Sequence, residues 1–288
     1  MKEIYAKSII NKHRRRDSWF LDDYSLNPYQ LCEFNCLFCY IRGSKYGGSL
    51  VGELAVKVNA PTLARRELAR LAERRDYGFI ALSSATEPWM RLEERYQVTR
   101  RCLEAILKYR FPVHCLTKSP LILRDLDLLE QIERAAVLPP DLRRLGHGVL
   151  ITISLSTLDE RLASIFEPNA PGPKERLKLL QKLREACFHA GVAYIPVLPF
   201  LSDTDEQLEE MVKAAKEFQA SYLFVGALTL EGAGRELYFK ALEKHFPELL
   251  PRYEQLYRFS QPSSSYQDRL HRKAKELCVK LGVKHHIL

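Results

Sequence analysis

Three cysteines close together in the sequence are the residues of this chain best suited to chemistry. Cys32, Cys36 and Cys39 form the pattern CxxxCxxC, which places all three thiols in one short loop. Thiolates are soft ligands that suit iron–sulfur clusters or zinc. A loop this tight can hold three corners of a cubane and leave the fourth iron without a protein ligand. A small molecule with an amine and a carboxylate could then chelate the open iron.

A structural zinc site is the alternative interpretation of the same three cysteines. Such a site is closed by four protein ligands, so it needs a fourth residue besides the triplet. The available residues are His13, Cys102, Cys115 and Cys278. Because none of them has the spacing of a zinc knuckle to the triplet, the sequence favours the open cluster.

Composition excludes several classes of protein and sets the compartment that we expect. Of the 288 residues, 46% are apolar and 28% are charged, and no window approaches the roughly 18 uninterrupted apolar residues of a membrane span. The N-terminal segment lacks the apolar stretch and cleavage site of a secretory signal, so we expect a cytoplasmic protein. Seven cysteines, an odd number with three crowded together, argue against a disulfide framework. The net charge of +8 favours polyanionic or phosphate-bearing partners.

Strands and helices in alternation must position the cysteine loop. Buried strands are predicted from five apolar runs: 79–82, 113–116, 149–155, 192–198 and 222–225. Segments with helical spacing lie between the runs, and one of these helices should end at the pair Ala190 and Gly191. A further strand must come from residues 23–31 or 54–59, and a last helix is predicted over 266–281. The alternation indicates an α/β protein with a parallel sheet, arranged as a TIM-type barrel or part of one.

Polar residues at the carboxyl ends of the predicted strands form the second group of candidates. In parallel α/β sheets the chemistry gathers at these ends, where the loops leave the strands. Three strands in succession end in such residues, which are Ser84, Thr86 and Glu87, then Lys118, then Ser154 and Ser156. We therefore expect these side chains to lie around one site.

The cysteine loop, with Phe38 just before its last cysteine, resembles the signature of the radical SAM superfamily. Within that superfamily the chain is similar to the spore photoproduct lyase-like group, also described as DNA repair photolyase-like. The segments that carry the resemblance are 27–29, 56–61, 86–88, 117–119, 124–125, 127–129, 154–159, 167–168 and 170–171. The resemblance covers residues 24–203 approximately.

The resemblance implies a fold, a division of the chain and two cofactors. The fold is a partial (β/α)6 TIM-type barrel with a C-terminal helical extension. The implied parts are an N-terminal basic extension (1–22), the barrel (23–230) and a C-terminal helical region that closes or caps it (231–288). A [4Fe–4S] cluster would sit on Cys32, Cys36 and Cys39, with S-adenosylmethionine (SAM) on the fourth iron. An external flavodoxin- or ferredoxin-like reductant would supply one electron, and SAM cleavage would give a 5′-deoxyadenosyl radical.

The resemblance also suggests which residues contact SAM. Tyr40 stands where the family holds the adenine, and Lys118 and Ser154 match positions that touch the carboxylate or ribose. Thr86 and Glu87 follow the strand after which the family places groups near the SAM amino end, and Ser156 is a further cofactor-binding candidate. Each has a simpler alternative: Lys118 as a solvated lysine, Ser154 as a loop cap, and Glu87 as the cap of the next helix.

The hydrogen-atom donor is where this sequence departs from spore photoproduct lyase. That group carries a cysteine after the second strand, and Ser84 stands at the corresponding position here. A serine O–H bond is far stronger than a thiol S–H bond, so Ser84 is a poor donor and thymine-dimer reversal by the same route is in doubt. Cys115 on the next strand is the other candidate for the catalytic position. Its neighbours favour a buried thiol that packs as a small hydrophobe.

The expected substrate is a nucleic-acid base or lesion, and DNA or another nucleic acid is the expected macromolecular partner. The basic segment 12–16, followed by Trp19 and Phe20, combines charge with stacking surface, and the final helix is also basic. The alternative for the helix is a solvated face that closes the barrel. The alternative function is a radical SAM enzyme that acts on a small metabolite, lipid or peptide and does not bind nucleic acid.

Overall fold

The computed structural model describes residues 1–42 and 53–288. Its strands are β1 (Lys2–Ile4), β2 (Ile10–Lys12), β3 (Asp22–Leu26), β4 (Tyr29–Gln30), β5 (Ala55–Lys57), β6 (Phe79–Leu82), β7 (Val113–Thr117), β8 (Val149–Leu155), β9 (His189–Val197) and β10 (Leu223–Ala227). The main sheet has the order β10-β9-β8-β7-β6-β3-β2, in which β2 alone is antiparallel to its neighbour. In the described part of the chain no ladder joins β10 to β2, so the six parallel strands form an open, partial barrel. The predicted fold class is confirmed.

Helices follow the strands and cover the outside of the sheet. They are α1 (Ala60–Glu73), α2 (Glu93–Tyr96), α3 (Val98–Lys108), α4 (Leu126–Ala135), α5 (Glu160–Phe166), α6 (Pro173–Glu185), α7 (Asp205–Glu217), α8 (Gly232–His245), α9 (Leu250–Leu256) and α10 (Ser264–Leu281), with short 3₁₀ turns at Pro120–Asp125, Pro140–Leu145 and Pro247–Leu249. Local sequence signals account for several of their ends. Thr204 and Gln207 form a capping box at the start of α7, and Gly282 ends α10 in the left-handed conformation with φ +72°.

Both segments proposed for the first strand form strands, but in different sheets. Residues 22–26 supply β3 of the barrel, whereas residues 55–57 supply β5 of a small sheet with the order β1-β5-β4. The N-terminal residues take part in both sheets, because β1 pairs with β5 and β2 pairs with β3. The N-terminal extension is thus folded against the barrel edge, and the division into three domains stays a prediction.

The predicted helix end at Ala190 and Gly191 is wrong. Helix α6 ends at Glu185, and both residues lie in β9, paired with Ile151 and Thr152 of β8. A Cβ atom on Gly191 would lie 2.4 Å from Cδ2 of Tyr222. The glycine therefore serves the close approach of a neighbouring ring to the strand, not the termination of a helix.

Buried apolar residues form three clusters, and the two largest are the ones that support the site. The larger one fills the space between the sheet and its helices. The smaller one lies beneath α8 and α9 and includes Phe38, Phe166, Tyr238 and Tyr253, with Cys36 packed against it. None of the helices in residues 1–42 and 53–288 has both the length and the apolar character needed to cross a bilayer.

Candidate active site

The cysteine loop begins two residues after β4, and its thiols are half-buried. Cys32, Cys36 and Cys39 are free thiols. The backbone N–H of Phe34 donates to Sγ of Cys32 at 3.4 Å, and the N–H of Cys39 donates to the carbonyl of Cys36 at 3.2 Å. An N–H directed at a cysteine sulfur is one of the contacts with which proteins stabilise thiolate bound to iron.

The segment after α5 fixes the backbone of the cysteine loop. Leu37 N–H donates to the carbonyl of Phe166 at 2.9 Å, and Asn169 N–H donates to the carbonyl of Phe34 at 3.4 Å. The side-chain amide of Asn169 also donates to the carbonyl of Glu33 at 3.0 Å. Because these bonds join the loop to the connection between α5 and α6, the loop has a defined position above the sheet.

A buried group of charges lies at the ends of β7 and β8. Nζ of Lys118 donates to Oγ of Ser154 at 3.0 Å and lies 3.6 Å from Oε1 of Glu167. Glu167 also accepts a hydrogen bond from Oγ of Ser156 at 2.9 Å and pairs with Arg176 at 3.0 Å. The side chains of Glu167 and Arg176 are 1% and 0% exposed, so this pair is sealed from water.

Each charge in this group sets the protonation of its neighbours. Burial by itself raises the pKa of Glu167, but the cations Arg176 and Lys118 outweigh it and the pKa lies below its ordinary value. Burial by itself lowers the pKa of Lys118, but Glu167, Cys36 and Glu87 together outweigh it and the pKa lies above its ordinary value. Lys118 is therefore a fixed positive charge with a side chain that is 17% exposed.

Sequence reasoning had not assigned roles to Glu167 and Arg176. Oε1 of Glu167 lies 4.0 Å from Sγ of Cys36, so the pair connects the cysteine loop to the strand ends. A signal for Arg176 was present, since it precedes Leu180 and Leu183 at the spacing of the apolar face of α6. An arginine on such a face needs a buried partner. Ser156 is 1% exposed and supports this pair.

Glu87 joins the ends of β6 and β7. Its carboxylate accepts hydrogen bonds from Oγ1 of Thr117 at 2.5 Å, from the N–H of Lys118 at 3.0 Å and from the N–H of Trp89 at 3.1 Å. Burial raises the pKa of Glu87, although these three donors act in the opposite direction. The geometry gives Glu87 a direct part in orienting the backbone of Lys118.

The turn after β6 is rich in hydroxyl groups and contacts the end of the cysteine loop. The hydroxyls of Ser83 and Thr86 are buried and have no hydrogen-bond partner within the described residues. Ser84 is exposed, and its carbonyl accepts a hydrogen bond from the hydroxyl of Tyr40 at 2.6 Å. Asn27 holds this turn through a bond from the N–H of Ala85 to its Oδ1 at 2.9 Å. The structure thus joins Tyr40, at the end of the cysteine loop, to Ser84 in the turn after β6.

Cys115 lies apart from this group. It is 0% exposed in the middle of β7, in register with Leu82 and Ile151, and it belongs to the larger apolar cluster. Burial raises the pKa of its thiol. These observations favour the packing role for Cys115.

The donor set suits a cluster with a polar ligand better than a compact zinc site. Across residues 1–42 and 53–288, no three His, Cys, Asp or Glu side chains are gathered closely enough to hold one metal ion. The sulfurs of a tetrahedral zinc site lie only about 4 Å apart, whereas a cubane places its three protein ligands on separate irons. The buried hydroxyls of Ser83 and Thr86, which lack a hydrogen-bond partner within the described residues, fit a polar ligand at the end of β6.

The predicted stacking surface near the N-terminus is used for internal packing. The ring of Trp19 lies 5.3 Å from that of His271, and the ring of Phe20 lies 5.3 Å from that of Phe224. The final helix α10 packs on α7, where Lys273 pairs with Asp205 at 2.6 Å. The alternative interpretation of α10, as a face that closes the barrel, fits this packing.

Comparisons with known proteins agree with this architecture. The profile of the Radical SAM superfamily matches residues 26–215. An uncharacterized protein of Mycobacterium tuberculosis (strain H37Rv) is 30% identical over 287 residues, which cover 96% of this chain and 80% of that protein. Spore photoproduct lyase complexed with dinucleoside spore photoproduct superposes with a TM-score of 0.68 at 13% identity, over 97% of this chain and 78% of the other. Streptococcus suis SuiB bound to the precursor peptide SuiA gives 0.56 at 16% identity, over 93% and 48%.

Proposed function

The chain belongs to the radical SAM superfamily, and we propose that Cys32, Cys36 and Cys39 hold the [4Fe–4S] cluster that members of this superfamily use together with SAM. When bound, the cluster and SAM supply a 5′-deoxyadenosyl radical that abstracts hydrogen from a substrate. An external flavodoxin- or ferredoxin-like protein delivers the electron that this chemistry needs. The protein itself contributes binding, orientation and the exclusion of water.

The observation that carries the proposal is the buried connection from the cysteine loop to the strand ends. Glu167 lies within 4.0 Å of Sγ of Cys36 and within 3.6 Å of Nζ of Lys118. A fixed cation beside three thiols suits the carboxylate of an amino-acid ligand. We assign Lys118 and Ser154 to that carboxylate, with Glu167 as the residue that holds Lys118 in position.

The remaining ligand contacts come from the turn after β6 and from the end of the cysteine loop. Thr86 has an unpartnered buried hydroxyl among the described residues and is assigned to the amino end of SAM. Tyr40 is assigned to the adenine, because its ring is 46% exposed beside the turn. Glu87 orients Lys118 through its backbone, and Ser156 orients Glu167.

The substrate that we propose is a nucleic-acid base or lesion. The net charge of +8 favours a phosphate-bearing partner, and a neighbour in fold is spore photoproduct lyase with a dinucleoside lesion. Ser84 is exposed at the position of the donor cysteine of that family, and its O–H bond is too strong for the same step. The substrate radical of this enzyme is therefore quenched by a different donor than in spore photoproduct lyase.

A peptide substrate is the second candidate function. It is supported by the fold similarity to SuiB, whose solved structure holds a precursor peptide. Tracing deuterium from candidate oligonucleotides and peptides into 5′-deoxyadenosine distinguishes the two, because only the true substrate loses a hydrogen to the radical. Label from a peptide but not from an oligonucleotide would replace the nucleic-acid proposal.

Iron binding and SAM cleavage test the cofactor assignment directly. Anaerobically reconstituted protein should bind about four irons and form 5′-deoxyadenosine with SAM and reductant. Cys36→Ala should lose the cluster absorbance and the cleavage, whereas Cys187→Ala, which changes an exposed thiol, should keep both. If Cys36→Ala still cleaved SAM, the assignment would be overturned.

A further inference from the structure

An open groove of about 470 Å³ runs between the edge strand β2 and helix α1. We call it the β2–α1 groove. Most of its charged lining is cationic and comes from Lys7, Lys12, Arg66, Arg70 and Arg74. All five of these side chains are exposed.

The negative charge in the groove is small and already engaged. Glu67 is the acid that lines it in the described part of the chain. Its Oε2 accepts hydrogen bonds from the N–H groups of Ile9 and Ile10 at 3.0 and 2.8 Å, and its Oε1 lies 3.6 Å from Arg66. Asp76, beside the groove, pairs with Lys12 at 2.6 Å. Five cations against one lining carboxylate leave a strongly positive surface, which attracts a polyanion.

The spacing of the arginines suits a repeating anion. Arg66, Arg70 and Arg74 follow each other at intervals of four residues along one face of α1 and its C-cap. Four residues of α-helix advance by about 6 Å, which makes a row of guanidinium groups at regular intervals. A phosphodiester backbone offers charges at a comparable repeat, and each guanidinium can bind a phosphate through two hydrogen bonds.

An exposed aromatic residue closely precedes the lining residues in the chain. Tyr5 is 81% exposed and lies two residues before Lys7. Residues 7 and 8 precede Ile10, which pairs with Leu26 at the carboxyl end of β3. The upper end of the groove therefore opens at the same end of the barrel as the candidate active site. Cationic grooves with aromatic rings are the composition that binds single-stranded nucleic acid.

We propose that the β2–α1 groove binds the phosphate backbone of a single-stranded nucleic acid, with a base stacked on Tyr5. This inference rests on the proposed function, since it names the surface that guides a nucleic-acid substrate toward the active site. An acidic protein partner is the competing occupant. The exposed Tyr5 ring and the row of cations favour the nucleic acid.

Fluorescence anisotropy with a labelled single-stranded oligonucleotide, measured on the full chain across a salt series, tests the groove. The variant Arg66→Gln/Arg70→Gln/Arg74→Gln should bind at least tenfold more weakly at low salt. Its dependence of log K on log salt should be shallower by about 2, since each lost phosphate contact removes about 0.7. The matched control is Arg65→Gln on the same helix, whose side chain faces Glu104 of α3 at 3.3 Å. It should bind like the unchanged protein.

A second pair of variants tests the stacking contact. Tyr5→Ala should bind the oligonucleotide about tenfold more weakly, while Tyr5→Phe keeps the ring and should bind normally. Equal binding by the triple arginine variant and the unchanged protein overturns the proposal. The proposal is also overturned if the triple arginine variant binds the oligonucleotide normally but accepts electrons more slowly from an acidic protein reductant, because the groove would then bind that protein. SAM cleavage without substrate should be the same in all these variants, so a failure of the groove is separable from a failure of the cofactor assignment.

Discussion

Replacing Glu167 by glutamine should destabilise the protein more than replacing its main partner. The carboxylate neutralises both Arg176 and Lys118, at 3.0 Å and 3.6 Å. Glu167→Gln keeps the shape and an oxygen for Ser156, but it leaves two cations in a buried place without their counter-charge. Arg176→Met removes one cation and leaves Glu167 still paired with Lys118.

The magnitude follows from the burial of the pair. Removing one partner of a buried ion pair costs about 3–5 kcal/mol because the other charge stays buried and unpaired. We expect that loss for Glu167→Gln and about 1–3 kcal/mol for Arg176→Met, which loses hydrogen bonds but leaves no unpaired charge. The double variant should lose less than the sum of the two, since its two changes relieve each other. Glu130→Gln is the matched control, because Glu130 pairs with Arg134 while 49% exposed and its loss should stay below about 1 kcal/mol.

Urea unfolding of anaerobically prepared proteins with equal iron content measures these differences. The free energies of unfolding should fall in the order control, Arg176→Met, Glu167→Gln. The reasoning is refuted if Glu167→Gln costs no more than the surface control. It is also refuted if Arg176→Met is the more destabilising change, because that result would mean that the charge of Lys118 does not add to the cost of losing Glu167.

Two further predictions concern parts of the barrel outside the site. Burial lowers the pKa of His114 to about 4. The neutral ring therefore stabilises the fold fully above about pH 6.5, and this contribution, about 3 kcal/mol, is lost as the pH falls toward 4. His114→Gln should flatten the decline of the unfolding free energy over that range, and an unchanged slope would contradict the assignment. Gly191→Ala should lower the thermal midpoint by several degrees, because its Cβ would lie 2.4 Å from the ring of Tyr222 and 2.5 Å from its backbone carbonyl oxygen, and overpacking costs about 1–3 kcal/mol. A midpoint equal to that of the unchanged protein would contradict this packing.

Much of the barrel was predictable because each strand is a short apolar run with helical spacing on either side. Residues 79–82 and 149–155 are strands with the predicted bounds. The segment 186–191 was not predictable, since a glycine after a helical pattern ordinarily marks a helix end. Its role in β9 depends on Tyr222, which belongs to the neighbouring part of the sheet. The local sequence does not indicate which aromatic ring will pack against a given stretch of backbone.

The residues of the candidate site likewise divide into those that the sequence predicts and those that it does not. The cysteines, Lys118 and Ser154 could be found from spacing and from their place at strand ends. The ion pair of Glu167 with Lys118 and Arg176 could not, because Glu167 follows a helix and Arg176 lies within the next one. Their meeting is decided by how α5 and α6 fold back over the strand ends. Charge pairs that form across such distances in sequence become visible only in three dimensions.

The bracing of the cysteine loop by the segment after α5 bears on how the protein matures. Glu167, which approaches the thiol of Cys36, stands 131 positions further along the chain. Since synthesis proceeds from the N-terminus, the ribosome releases the three thiols long before the chain that shapes them. A nascent chain that stops before residues 166–169 emerge would present the three cysteines on an unstructured peptide. On the proposed cluster assignment, we therefore expect iron to be inserted late in biogenesis, after residues beyond 169 have emerged.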